Sequence, residues 1–111
     1  MIPKPREVYL SIFPFSDLSS SKKRPVLVLS RERFNQESGG CIVCALSTNE
    51  TLPYSDIISD SDLEFGSLYG GRSAVNYGDV FTADLQLLEK RILKLKAGTY
   101  ERIIGKLKEL I

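Results

Sequence analysis

Two short apolar runs, Val26–Leu29 and Cys41–Leu46, constrain this chain more than any other feature. Unbroken apolarity over four to eight residues suits a strand covered on both faces, and it falls far below the roughly 20 residues a membrane helix needs. The runs therefore predict buried strands and no bilayer-spanning segment. Pro25 opens the first run, where a strand tolerates proline at its first position, so that strand is read as Val26 to Ser30. Glu7–Phe13 adds another by alternation, with Val8, Leu10 and Ile12 on one side and Tyr9, Ser11 and Phe13 on the other.

The remaining segments fill in a single domain over residues 1–111, a length that buries one core. Ser16 to Lys23 reads as a soft surface loop, and the stretch ending at Gly39-Gly40 as irregular. Residues 47–72 read as acidic loops with one β-like edge piece at Ser55 to Ser59. Ser73–Val75 and Asp79–Ala83 read as short strands interrupted by Asn76-Tyr77-Gly78, whose glycine suits a turn or bulge. Leu85–Leu95 reads as a helical turn followed by an extended Leu93-Lys94-Leu95. The clearest helix comes last: Thr99 is a good N-cap, and Tyr100, Ile103, Ile104, Leu107, Leu110 and Ile111 follow helical spacing. Its apolar stripe is expected to dock on the chain's own sheet. Short strands ending in one amphipathic helix predict a mainly β fold, a small and partly open β-barrel.

Several chemistries are excluded early. The chain has no histidine, which removes the commonest general acid and base and with it Ser-His-Asp hydrolysis and most zinc enzymes. Cys41 and Cys44 cannot complete a tetrahedral zinc site alone. Three residues apart on a strand, they point to opposite faces, so they are expected as packed free thiols rather than a disulfide. No glycine-rich phosphate cradle occurs. No metal and no cofactor is expected. The opening Met-Ile-Pro-Lys-Pro-Arg-Glu lacks the profile of a secretory signal, which predicts a cytoplasmic protein.

Charge is spread unevenly. Residues 1–34 hold seven Lys or Arg against three Asp or Glu, while residues 35–79 hold one against seven. The densest positive stretch is Lys22-Lys23-Arg24, which reads either as a solvated basic turn or as a local nucleic-acid patch. Arg24 stands at a loop-to-strand junction and Ser47-Thr48-Asn49 follows the second apolar run, so one barrel rim could present both. A guanidinium is an always-charged partner for phosphate oxygens, and hydroxyls can position or accept protons. Such a pair suits metal-free phosphodiester chemistry.

The same stretches resemble the MazF/PemK family of toxin endoribonucleases from type II toxin–antitoxin pairs. Glu7 to Asp17 followed by Lys23-Arg-Pro-Val-Leu-Val-Leu-Ser30 is similar to the family's opening. Phe34-Asn35, Ile42–Ser47, Gly66-Ser-Leu68, Ser73-Ala-Val75 and Phe81-Thr-Ala-Asp84 then fall in the family's order. The resemblance implies an SH3-like barrel, a homodimer, a cognate antitoxin partner, joint DNA binding with that antitoxin, and single-stranded RNA as substrate. It also implies attack by the RNA 2′-hydroxyl on the adjacent phosphorus, giving 2′,3′-cyclic phosphate and 5′-hydroxyl ends. Arg24 matches the family arginine and Ser47 its Thr or Ser, the two implied catalytic residues. Phe15, Ser16, Lys22, Lys23, Thr48, Asn49, Asn76, Tyr77 and Phe81 are the implied RNA contacts. Arg6 replaces a common glycine, and Asn76-Tyr77-Gly78 lacks the Arg and Asp that some members carry. A catalytically inactive barrel of the same fold, binding RNA or a protein partner, is therefore the competing reading.

Overall fold

In the computed structural model, which describes residues 1–13 and 22–111, the apolar runs form the middle of an antiparallel sheet. Strands β1 (Glu7–Phe13), β2 (Lys22–Val28) and β3 (Gly40–Ser47) are followed by β4 (Asp56–Ser59), β5 (Leu63–Phe65), β6 (Arg72–Asp84) and β7 (Leu88–Leu95). They pair in the order β4-β6-β3-β2-β1-β7-β5, which curls into a nearly closed barrel with β4 and β5 at its edges. Helices α1 (Glu32–Ser38) and α2 (Ala97–Lys108) complete the described chain. Neither is long or apolar enough to cross a membrane.

Side-chain alternation explains why the runs are apolar throughout. Val8, Leu27, Leu29, Cys44 and Leu46 join the main core, while Tyr9, Val26, Val28, Cys41 and Val43 form a second cluster on the other side of the sheet. A strand buried on both faces leaves no position for a polar residue. Cys41 and Cys44 are both free and buried, one in each cluster, as their spacing requires.

Five elements depart from the sequence reading, among them β5, which occupies residues read as acidic loop. The second strand begins at Lys22, so Lys22 and Lys23 belong to it and Pro25 lies within it, opposite Leu10. Helix α1 replaces an irregular segment. It has no apolar stripe to advertise it, burying only Asn35, whose side-chain amide donates to the carbonyls of Pro3 (2.8 Å) and Ser30 (3.1 Å). The two short strands near residue 76 are one strand, β6. Its register against β3 jumps between the pairs Leu46–Val75 and Cys44–Val80, and the Gly78 N–H donates to the Tyr54 carbonyl at 3.1 Å within that jump. The predicted helical turn at Leu85 is real but short, and β7 runs from Leu88, with Glu89, Lys90 and Arg91 exposed and Leu93 and Leu95 buried.

The C-terminal helix docks on its own barrel. Ile103 is fully buried in the main core, and Tyr100, Ile104 and Leu107 pack against it. The helix starts at Ala97, two residues before the predicted cap. Thr99 is buried in the first turn and its hydroxyl donates to Asp62 Oδ1 at 3.0 Å instead of capping. Leu110 and Ile111 lie beyond the helix and are exposed, outside the docked stripe.

Candidate active site

Antiparallel pairing brings the end of β3 beside the start of β2, and the barrel opens there into a cleft of about 390 Å³. Leu10, Pro25, Leu46, Leu68, Ile92 and Leu93 supply its apolar lining. Its polar groups are Arg24, Ser47, Thr48, Ser67, Tyr69, Arg72 and Ser73. That volume and composition, apolar walls with a few convergent polar groups, are those of a ligand site.

Arg24 comes from β2, opposite Ser11 of β1, and is exposed; no described residue pairs with its guanidinium. Ser47 closes β3, opposite Ala74 of β6. Its hydroxyl oxygen accepts the Asn49 N–H at 3.0 Å, and its carbonyl accepts the Ser73 hydroxyl at 3.2 Å. The serine oxygen is thus fixed in direction while its own proton stays available for donation. Among the described residues no carboxylate lines the cleft. An anion entering it meets the Arg24 guanidinium and hydroxyl donors, and the carboxylate of Glu50, held by Arg72, stands beside the described lining.

The other sequence-predicted contacts are dispersed. Thr48 lines the cleft with Arg24 and Ser47. Asn49 does not: its side-chain oxygen is taken up by the Thr51 N–H (3.0 Å) and hydroxyl (2.6 Å), making it a turn former. Lys23 pairs with Glu89 at 2.8 Å on the surface, and Lys22 opens β2. Asn76, Tyr77 and Phe81 lie outside the cleft; Tyr77 packs against the main core and Phe81 against the second cluster. Phe15 and Ser16 fall outside the described residues.

Sequence reasoning missed Arg72 and Tyr69. Arg72 opens β6 and holds Glu50 through two bonds, Nη2 to Oε1 at 2.7 Å and Nε to Oε2 at 3.1 Å. The available signal was that Arg72 is the single cation of the acidic middle segment. The cysteines offer no competing nucleophile, because burial pushes Cys41 up to about 11 and Cys44 up to about 12. Both thiols stay protonated at neutral pH, and only the thiolate is reactive.

A family model described as the PemK-like, MazF-like toxin of type II toxin–antitoxin systems matches residues 4–111. The chain belongs to this family. Solved structures agree on the fold of this MazF-like toxin. A MazF from Deinococcus radiodurans is 20% identical, with 99% of this chain and 96% of that one covered at a TM-score of 0.71. An endoribonuclease from a Mycobacterial species, solved with its cognate antitoxin, is 18% identical, with 97% and 91% covered at 0.72. The Mycobacterium tuberculosis toxin MazF-mt6 is 19% identical, with 94% of each chain covered at 0.70. No curated protein matches the chain. At such identities the structural likeness speaks for the MazF-like barrel, and the chemistry must be argued from the cleft itself.

Proposed function

We propose that this MazF-like toxin is a metal-independent, sequence-selective endoribonuclease that cleaves single-stranded mRNA. The observation that carries the reading is that Arg24, which no described residue pairs, and a direction-fixed Ser47 hydroxyl line one cleft whose described lining holds no carboxylate. In the reaction the ribose 2′-hydroxyl gives up its proton to solvent as its oxygen bonds to the adjacent phosphorus, and the P–O5′ bond breaks with a proton taken up on O5′, leaving a 2′,3′-cyclic phosphate and a 5′-hydroxyl. Negative charge builds on the phosphorane oxygens, where the Arg24 guanidinium stabilises it and can pass a hydrogen-bonded proton toward the leaving oxygen. Ser47 orients the attacking 2′-hydroxyl through its free proton. The protein works as a cytoplasmic homodimer held in check by an antitoxin, with which it also binds DNA; the antitoxin-bound mycobacterial relative supports that partner.

The test is incubation with long single-stranded RNA in EDTA, with mass analysis of the ends. Cyclic-phosphate and 5′-hydroxyl termini are expected, and Arg24→Ala is expected to lose about 10²–10³-fold in rate, the usual effect of removing one charge-stabilising group. Undiminished cleavage by that variant would remove Arg24 from the chemistry. A second reading, an inactive barrel that binds RNA or a protein, draws on the stretch Asn76-Tyr77-Gly78, which lacks the Arg and Asp that some family members carry there. Binding without cleavage would favour it.

A further inference from the structure

The geometry points to a second nucleotide subsite where β6 begins at the cleft, in which Tyr69 stacks a base, Arg72 grips the adjoining phosphate, and Glu50 competes for Arg72. It rests on the reading of the cleft as an RNA site and names residues beyond Arg24, Ser47 and Thr48. Tyr69 opens a turn, Tyr69–Gly71, whose two glycines have positive φ (71° and 78°), Arg72 follows it, and both residues line the same cleft as Arg24. Tyr69 is 93% exposed. A large aromatic left in water at the mouth of a cleft, rather than folded onto the adjacent Leu68 core, presents a free ring face. Every base has a matching one, and stacking of this kind is tolerant of sequence.

Arg72 supplies the phosphate half. Its fork is occupied by Glu50 in a bidentate pair, but the pair is solvent-exposed, with side chains 60% and 39% accessible. Exposed pairs are weak, and a phosphate offers the same two-oxygen geometry as a carboxylate. An incoming RNA backbone therefore exchanges with Glu50 for one guanidinium. Glu50 holds Arg72 in place when the cleft is empty and weakens RNA binding by the exchange it imposes. Tyr77 and Phe81, by contrast, are half-buried, pack against the core clusters and lie outside the cleft.

Affinity for a mixed-sequence 2′-O-methyl oligoribonucleotide, which lacks the attacking hydroxyl, tests the subsite separately from cleavage. Tyr69→Ala and Arg72→Ala are each expected to weaken binding about tenfold, equivalent to roughly 1.4 kcal/mol, with Arg72→Lys recovering part of the loss. Glu50→Gln is expected to tighten binding several-fold at low salt, and to have no effect once Arg72 is alanine. Unchanged affinity in Tyr69→Ala or Arg72→Ala, or weaker binding in Glu50→Gln, overturns the proposal. Thermal unfolding of each variant confirms that the folded protein is what binds. A wild type that binds this oligonucleotide but leaves ordinary RNA intact would refute the nuclease reading while leaving the subsite standing; cleavage with an indifferent Arg72→Ala would do the reverse.

Discussion

Arg6 shows how far a single residue can be read from sequence. It stands where the resembling family commonly has glycine, and its φ of 77° is the reason, since this is a left-handed position that a side chain pays for and glycine does not. The backbone there is held from both sides, its N–H donating to Val28 and its carbonyl accepting from Leu95. Its guanidinium adds contacts to the Leu95 carbonyl at 3.3 Å and to Glu64 at 3.5 Å. Arg6→Ala and Arg6→Gly both remove those contacts, so their difference isolates the backbone. The glycine variant is expected to be more stable than the alanine variant by about 1 kcal/mol, measured as a shift in urea midpoint. At this scale the sequence singled out Arg24 and Ser47 through residue type and position. It could not rank Tyr69 against Tyr77 and Phe81, because an aromatic is core or surface according to what its neighbours cover.

At the scale of elements, the tie between α2 and the edge of the barrel is electrostatic as well as apolar. Asp56 of β4 receives Arg102 Nε at 2.7 Å and Lys106 Nζ at 3.1 Å, both from α2. Burial by itself pushes the Asp56 carboxyl up, but these two donors outweigh it and hold the group below the usual carboxylate value. A carboxyl lowered on folding contributes stability above its unfolded pKa and loses it as pH falls through the folded one. Asp56→Asn is therefore expected to cost about 1 kcal/mol at neutral pH. The gap to wild type should close as pH is taken below about 4, where the unfolded carboxyl protonates, and urea titrations across that range would reveal it. The helix that makes this contact was legible from its 3.6-residue spacing. Helix α1 was not, since its single buried residue, Asn35, is polar and is held by hydrogen bonds to distant carbonyls.

For the whole molecule, a net charge of +1 leaves no overall field to gather RNA, so binding must come from cations placed locally. Arg24 of β2 and Arg72 of β6, on the two strands that flank β3, account for about two phosphates. The logarithm of affinity for single-stranded RNA is expected to fall with the logarithm of salt at a slope of about −1.4, and Arg72→Ala should roughly halve it. A flat salt response would mean that phosphates are not what the cleft holds. That placement is a tertiary fact. Alternation and unbroken apolar runs were enough to predict a small, partly open β-barrel ending in an amphipathic helix, because strand faces and helix stripes are set by neighbours in the chain. The continuity of β6 through its register jump, the cleft beside the start of β2 and the end of β3, and the arrival of Arg72 and Tyr69 in its lining were decided only by long-range pairing. Such pairing depends on which strands meet and in what register, a property no local period encodes.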